Sequence, residues 1–186
     1  MRFILIDHFD SFTHNVAAWL REDSSIQIDI KSYGEDFQTA PYDLLIFSPG
    51  PKSPKDYPLS LKSLKEQKCV PTLGICLGLQ MMVEEEGGII SPYSHPLHGK
   101  TSKLIIPYGP NLLSPLSGSE VARYHSLRVE KLPECFELLA LSADNCPMAV
   151  MHKSYPWLGF QFHPESFLTQ NGDALREIII KWVRSC

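Results

Sequence analysis

No stretch of this sequence stays apolar over the roughly 18 residues that a membrane-spanning helix requires. The opening run Met1-Arg2-Phe3-Ile4-Leu5-Ile6-Asp7 has no long apolar core followed by a small-residue cleavage site, so it reads as a buried first strand rather than an export signal. A surplus of positive charge is also missing. Lys and Arg number 17 against 21 Asp and Glu, and a net charge of −4 argues against a nucleic-acid surface. Lys62, Lys65 and Lys68 read as a solvated helix face. Cysteine pairs at metal-binding spacing are absent. Cys69, Cys76, Cys135, Cys146 and Cys186 are odd in number, and no CxxC or Cys/His spacing marks a structural zinc. Such thiols fit a reducing, cytoplasmic setting, where one is free to act as a nucleophile. There is no repeat, low-complexity tract or linker. Residues 1–186 are long enough for one domain with a substantial core, and a single domain is expected.

What is present is alternation. Runs rich in β-formers, Phe3 to Ile6, Ile26 to Ile30, Leu44 to Phe47 and Val70 to Ile75, are separated by helical patterns. Val16, Trp19 and Leu20 share one helix face, and Asp10-Ser11-Phe12-Thr13 offers several N-cap side chains. A second helix is expected from about Leu59 to Gln67. A third should run from Leu77 to Glu86, ending at Gly87-Gly88. Strands alternating with helices imply an open, mostly parallel α/β sheet flanked by helices. In the second half, Lys103 to Pro107, Glu120 to Tyr124, Phe136 to Leu141, Met148 to His152 and Leu158 to Phe162 read as strands joined by turns, an antiparallel extension of that sheet. A last helix should begin near Asn171-Gly172-Asp173 and dock the stripe Leu175, Ile178, Ile179, Trp182 and Val183 on the sheet. Glu84, Glu85 and Glu86 crowd a helix C-terminus, where the dipole disfavours anions, and the sequence offers no role for them.

The sharpest local pattern is Gly74-Ile75-Cys76-Leu77-Gly78, which follows an apolar strand and opens a helix. It has the form of a nucleophile elbow with cysteine in place of serine. A tight strand-to-helix turn would push the Cys76 side chain out at the carboxyl edge of the sheet. The helix N-terminus favours its thiolate, and the Leu77 amide is left free to donate to an oxyanion. A nucleophilic cysteine needs a base, and the base an orienting group. Of seven histidines, His163 is best placed, in Gly159-Phe160-Gln161-Phe162-His163-Pro164-Glu165-Ser166. In extended backbone Gln161, His163 and Glu165 face one way and Phe160 and Phe162 the other, so Glu165 can accept from one imidazole nitrogen and turn the other to the thiol. In Ser48-Pro49-Gly50-Pro51, Gly50 carries the sole N–H of the last three residues and suits a second oxyanion donor. Gln80 lies at i+4 from Cys76 and shares its helix face. Each feature alone has an ordinary structural explanation; together they place a thiol, a base and its acid on neighbouring strand ends.

These segments resemble the class I, triad-type glutamine amidotransferases. Within that family they are similar to the small subunits of anthranilate synthase and aminodeoxychorismate synthase. The resemblance runs through Asp7-His8-Phe9-Asp10-Ser11-Phe12-Thr13, Ser48 to Pro51, Gly74 to Gln80, His98-Gly99-Lys100-Thr101-Ser102, Arg123-Tyr124-His125-Ser126-Leu127 and Gln161 to Ser166. It implies a Cys76–His163–Glu165 triad that hydrolyses L-glutamine through a thioester. Gly50 and Leu77 would form the oxyanion hole. Gly50, Pro51, Lys52, Gln80, Ser126 and Leu127 would bind substrate. It implies no metal or cofactor in this chain, and ammonia delivery to a larger, magnesium-using, chorismate-binding synthase subunit. The routes to anthranilate and to aminodeoxychorismate are not separated, because regioselectivity belongs to that partner. Three departures stand out. Lys52 replaces a glycine or other small residue, His14 replaces an aromatic one, and Ser91 to Pro96 is unusual. Another cysteine hydrolase on the same scaffold is disfavoured by His163-Pro164-Glu165 and Gln80, and an inactive subunit by the intact triad.

Overall fold

Period-two burial in the first strand sets the layering. In β1 (Arg2–Asp7), Phe3 and Leu5 enter one hydrophobic cluster and Ile4 and Ile6 the other. The sheet is therefore covered on both faces. In this computed structural model, which describes residues 1–93 and 96–186, β1 is followed by α1 (Thr13–Arg21), β2 (Gln27–Ser32), β3 (Leu44–Phe47), α2 (Pro58–Glu66), β4 (Thr72–Ile75) and α3 (Leu77–Glu85). The second half runs β5 (Ile89–Pro92), β6 (Lys100–Lys103), β7 (Glu120–Arg123), β8 (Leu127–Lys131), β9 (Phe136–Leu141), β10 (Pro147–His152), β11 (Trp157–Phe160) and α4 (Gly172–Ser185). The main sheet has the order β2-β1-β3-β4-β11-β10-β9. Its first five strands are parallel, while β10 lies antiparallel to both β11 and β9. Helices α1 and α4 cover one face through Val16, Leu20, Leu175 and Ile179, and α2 and α3 the other through Leu64, Leu79 and Met82. Among the described residues, no helix is long and apolar enough to cross a membrane.

The mostly parallel sheet with an antiparallel extension is present, but the extension is smaller than the sequence suggests. Three of the five second-half stretches join the sheet as β9, β10 and β11, and β11, from the stretch Leu158 to Phe162, runs parallel to β4, so β10 alone reverses direction against its neighbours. The stretch at Glu120 to Tyr124 forms β7, which pairs with β6 in a separate two-stranded ribbon, and β5 pairs with β8 in another. Lys103 to Pro107 is not a strand beyond Lys103; it keeps one bridge, Ile105 to Leu141. Apolar alternation there reflects packing over the sheet edge rather than ladder pairing, since Leu104 is buried and Ile105 exposed. At α1 the N-cap is Phe12, with no side-chain cap. Asp10 instead accepts from the Phe12 amide at 2.8 Å, and Asp7 gathers the Phe9 amide at 2.9 Å and the Thr13 hydroxyl at 2.7 Å. Of the unusual segment Ser91 to Pro96, Ser94 and His95 lie outside the described residues.

The close seating of α3 on the sheet positions the site. A Cβ built on Gly74 would stand 2.5 Å from the backbone of Gly78, and one on Gly78 would stand 2.4 Å from the Phe47 carbonyl oxygen. Ordinarily a helical Gly→Ala change stabilises by up to about 1 kcal/mol. Gly78→Ala is expected to do the reverse, lowering stability by about 1–3 kcal/mol because backbone atoms must give way. Thermal unfolding checks the sign; an unchanged or raised Tm would mean that the helix does not sit this close.

Candidate active site

Strand β4 ends at Ile75, and the chain turns at once into α3. The turn residue Cys76 has φ 53° and ψ −99°, a conformation that costs a side-chain-bearing residue on the order of 1–3 kcal/mol and that concentrates at functional positions. The Cys76 amide donates to the Phe160 carbonyl at 2.7 Å, and the Cys76 carbonyl receives the Gln80 amide at 3.2 Å. The thiol is thereby fixed at the helix N-terminus and is 7 % exposed. The Leu77 amide has no protein acceptor among the described residues, as befits the first turn of a helix.

Parallel pairing of β11 with β4 brings the histidine in. Its register sets Gly159 opposite Gly74 and Phe160 opposite Ile75, so the chain beyond Phe160 passes the elbow. The His163 amide donates to Ala122 at 3.0 Å, bridging to β7. His163 Nδ1 lies 2.6 Å from Glu165 Oε1, and both side chains are nearly or wholly removed from water. This contact does not arise from extended backbone as the sequence suggests. Residues 164 and 165 form a turn, closed by the Ser166 amide donating to the His163 carbonyl at 3.3 Å, because Pro164 stiffens the link. The turn curls the carboxylate back onto the ring. Burial favours the neutral imidazole, but the Cys76 sulfur and the Glu165 carboxylate together outweigh it and push His163 up to about 10. Glu165 Oε2 is itself buried without a partner among the described residues, so its charge acts on the ring with little competition. His163 Nε2 is buried with no hydrogen-bond partner among the described residues, and the Cys76 sulfur is the neighbour that acts on it.

A cavity of about 150 Å³ opens over this pair, lined by Cys76, His163, Gly50, Phe12, Tyr124 and His98 among others. Phe12 and Tyr124 each present an edge-on ring contact to His163 at 5.0 Å. The Gly50 amide has no protein acceptor among the described residues. A Cβ at Gly50 would stand 2.8 Å from His8 Cβ and 3.2 Å from the His8 carbonyl, besides meeting the movable Leu77 Cδ2 at 2.4 Å, so glycine suits this close approach. The loop is braced from behind. His8, fully buried, contacts the Ser48 hydroxyl through Nδ1 at 3.1 Å and the Ser60 hydroxyl through Nε2 at 2.8 Å. Tyr57 donates to the carbonyls of His8 and Pro51. Lys52 is exposed and adopts φ 68°, the left-handed region that favours glycine; it does not line the cavity. His14 is exposed on α1 and does not line the cavity.

Gln80, Ser126 and Leu127 are placed less directly. Gln80 is 3 % exposed, and its amide nitrogen donates to the Leu127 carbonyl at 3.2 Å and to Gln161 Oε1 at 3.1 Å. Only its own oxygen is left for a ligand. Ser126 is exposed, and its carbonyl accepts from the Tyr93 amide at 2.7 Å. Sequence reasoning gave Phe12, Tyr124, His8 and Gln161 no site role, although His8, Phe12 and Tyr124 lie in segments that carry the family resemblance and Gln161 shares the His163 face of its strand.

One cluster has metal-type donors, Glu86, Cys135 and His152. His152 Nδ1 accepts from the Ser154 and Tyr155 amides at 3.0 and 2.9 Å, so its proton sits on Nε2. A ligating histidine uses the opposite arrangement, with its second nitrogen donating outward. Glu86 instead pairs with Lys68 at 2.6 Å. That cation, together with the ring, accounts for one glutamate of the Glu84 to Glu86 run.

Comparison with known proteins bears on this geometry. Residues 4–182 match the family described as glutamine amidotransferase class-I. The chain is 37% identical to anthranilate synthase component 2, pyocyanine specific, of Pseudomonas aeruginosa, over 98% of this chain and 94% of that one. It is 38% identical to the aminodeoxychorismate/anthranilate synthase component 2 of Bacillus subtilis, over 95% and 94%. A crystal structure of a provisional GMP synthase component from Thermoplasma acidophilum aligns with a TM-score of 0.87 and 26% identity, covering 100% of this chain and 94% of that one.

Burial holds His8 down to about 4, and burial with the Arg123 charge does the same to His125. The unfolded chain takes up protons below the ordinary histidine value of about 6.5, whereas the folded chain refuses them until about 4. Stability is therefore full above pH about 6.5 and is lost progressively as pH falls toward 4, by about a few kcal/mol for each ring. His8→Asn should flatten the dependence of unfolding free energy on pH between about 6.5 and 5, where most carboxylates stay ionised. Denaturant melts at several pH values measure this; equal slopes for the two proteins would refute the assignment.

Proposed function

Because this chain belongs to the class-I glutamine amidotransferases, we propose that it hydrolyses L-glutamine through a Cys76 thioester and passes the ammonia to a larger chorismate-binding synthase subunit. The observation that carries the reading is the shared cavity in which the Cys76 sulfur, His163 and the Gly50 loop meet. The relatives that it resembles along nearly their whole length carry the names of anthranilate and aminodeoxychorismate synthase components, which supports a chorismate-aminating partner.

Each step is one that the residues are equipped to perform. The Cys76 thiolate attacks the side-chain amide carbon of glutamine, and the Gly50 and Leu77 amides receive the developing oxyanion. His163, charged and held by Glu165 at Nδ1, gives its Nε2 proton to the departing nitrogen, which leaves as ammonia. Water then attacks the γ-glutamyl thioester while His163 takes back a proton. Glutamate leaves and the thiolate is restored. Gln80 Oε1 and the Ser126–Leu127 backbone hold the glutamine, with Pro51 and Lys52 at the mouth. Glu165 orients and charges the base without itself exchanging protons. The chemistry on this chain draws on no metal; magnesium belongs to the partner.

In a reconstituted complex, Cys76→Ser should abolish glutamine-dependent product while sparing synthesis from added ammonium. His163→Ala should lower glutamine-dependent turnover by on the order of 10²–10⁴-fold. Product formed from glutamine by Cys76→Ser would remove the nucleophile. The oxyanion loop generates a further expectation. Lys52 holds its left-handed backbone at a cost of about 1–2 kcal/mol, so the loop has a relaxed alternative, and a misdirected Gly50 amide would forfeit about 10²–10³ in rate. The isolated chain should therefore release glutamate slowly and accelerate when chorismate and the large synthase partner are added, and Lys52→Gly should alter the basal rate with complex formation intact. Equal turnover alone, with partner, and with partner plus chorismate would rule out this coupling.

A further inference from the structure

We propose that Gln161 is a catalytic residue of this site: its side-chain N–H donates to the Cys76 sulfur and stabilises the thiolate, and the Leu127 carbonyl, acting through the buried Gln80 side chain, imposes that orientation. The inference rests on reading Cys76 as the nucleophile.

Gln161 is completely buried, with its backbone amide anchored on the Met148 carbonyl at 2.9 Å. Its Nε2 lies 3.6 Å from Cys76 Sγ. A glutamine amide can be turned either way, and the two choices act oppositely. An N–H toward the sulfur favours the thiolate; a carbonyl oxygen in its place would repel it. The direction is decided elsewhere, through groups that can only donate or only accept.

Arg123 has no acceptor. It is 2 % exposed and held by the Asp144 carboxylate, with Nη1 at 3.1 Å and Nη2 at 3.2 Å, and by the Ser102 hydroxyl at 3.0 Å. Its Nε donates to His125 Nε2 at 3.1 Å. The neutral His125 ring must therefore carry its proton on Nδ1, which donates to the Leu127 carbonyl at 2.8 Å. That carbonyl offers only lone pairs, so Gln80 turns its nitrogen to it, at 3.2 Å, and its second N–H to Gln161 Oε1, at 3.1 Å. With its oxygen taken, Gln161 has only its nitrogen left for the sulfur. Reversing any member would set two buried donors or two buried acceptors against each other, at the full penalty of an unmade hydrogen bond.

Gln80 thus positions Gln161, with Arg123 and His125 bracing the Leu127 carbonyl from which Gln80 takes its direction, and Gln161 touches a reacting atom. Its N–H is useful whenever the sulfur is anionic, before attack and again as the thioester collapses, and contributes little while the sulfur is acylated. The other titratable groups facing the sulfur are His163 with Glu165 behind it, and Asp10, His98 and Tyr124 around the cavity. None is altered by a substitution at Gln161.

The test follows Cys76 alkylation by iodoacetamide against pH in the full chain, with modified peptides resolved by mass spectrometry so that the exposed Cys69 and Cys186 do not contribute. Gln161→Met keeps the length and removes the donor. Its Cys76 reactivity at pH 7 should fall about ten- to a hundredfold, the range for one hydrogen bond to a charged group, and its pH profile should move to alkaline by one unit or more. The turnover number should drop with the glutamine KM nearly unchanged. Gln161→Glu keeps the shape and sets a carboxylate against the sulfur, so its profile should move further still. Loss of packing alone would not produce that order. Profiles of either folded variant that superpose on wild type overturn the inference. If neither variant folds, the wild-type Gln161 side-chain amide resonance decides: it should titrate together with Cys76 reactivity, and a resonance indifferent to that titration is equally fatal. An unreactive wild-type Cys76 would instead bring down the nucleophile reading itself, so the two failures are distinguishable.

Discussion

The candidate active site sits one to five residues beyond a single register, in which β11 runs parallel to β4 with Phe160 opposite Ile75. The Cys76 amide extends that ladder by donating to the Phe160 carbonyl. The thiol-bearing turn is thereby pinned to the strand whose continuation supplies Gln161, His163 and Glu165. The elbow can form only because Gly74 and Gly78 let the strand, the turn and α3 approach to distances that a Cβ would forbid. Remove the close seating, and the sulfur moves relative to a base carried by the other strand. Effects of this kind are steep, because a displacement of about 1 Å can lower rate by about 10²-fold.

Electrostatics then tune what the register assembles. Cys76, His163 and Glu165 are nearly free of solvent, where effective interactions are stronger than in water. A carboxylate with one oxygen on Nδ1 and the other unpartnered among the described residues favours the charged imidazole beside the sulfur. Behind the sulfur, the Gln161 amide, turned by Gln80 on the Leu127 carbonyl, supplies a second favourable group from the other side. That carbonyl is braced in turn by His125 and Arg123, with Asp144 balancing the arginine and the Ser142 and Tyr93 hydroxyls donating to Asp144.

The oxyanion loop is organised differently. Ser48 to Pro51 is held by His8 and Tyr57, but Lys52 strains the next residue into a region that suits glycine. A braced platform thus ends in one residue of unfavourable backbone conformation. In the proposed reading this division matches the chemistry, since the nucleophile and base need permanent placement while the Gly50 amide sits next to that residue.

Much of this was legible in the residues themselves. The period of two in β1, the apolar stripe of α4 and the Gly74 to Gly78 elbow follow from local geometry, and their positions agree with the sequence to within a residue or two. The donor-free prolines around Gly50 and the proximity of His163 to Glu165 were equally local. The sequence misjudged what depends on distant pairing. Lys103 to Pro107 has strand-like alternation but no partner ladder, and β7 went to a ribbon rather than the sheet, because a strand's place is set by which edge remains open to it. Local chemistry therefore determined which side chains could act: a thiol on a turn, an imidazole with an acid two residues on, and a lone amide between prolines. Only the tertiary structure decided how they meet. Gln161 is 85 residues from Cys76 in the chain, and the direction of its amide depends on Gln80 and the Leu127 carbonyl. These come from separate elements, and their donors and acceptors meet only once all are buried together.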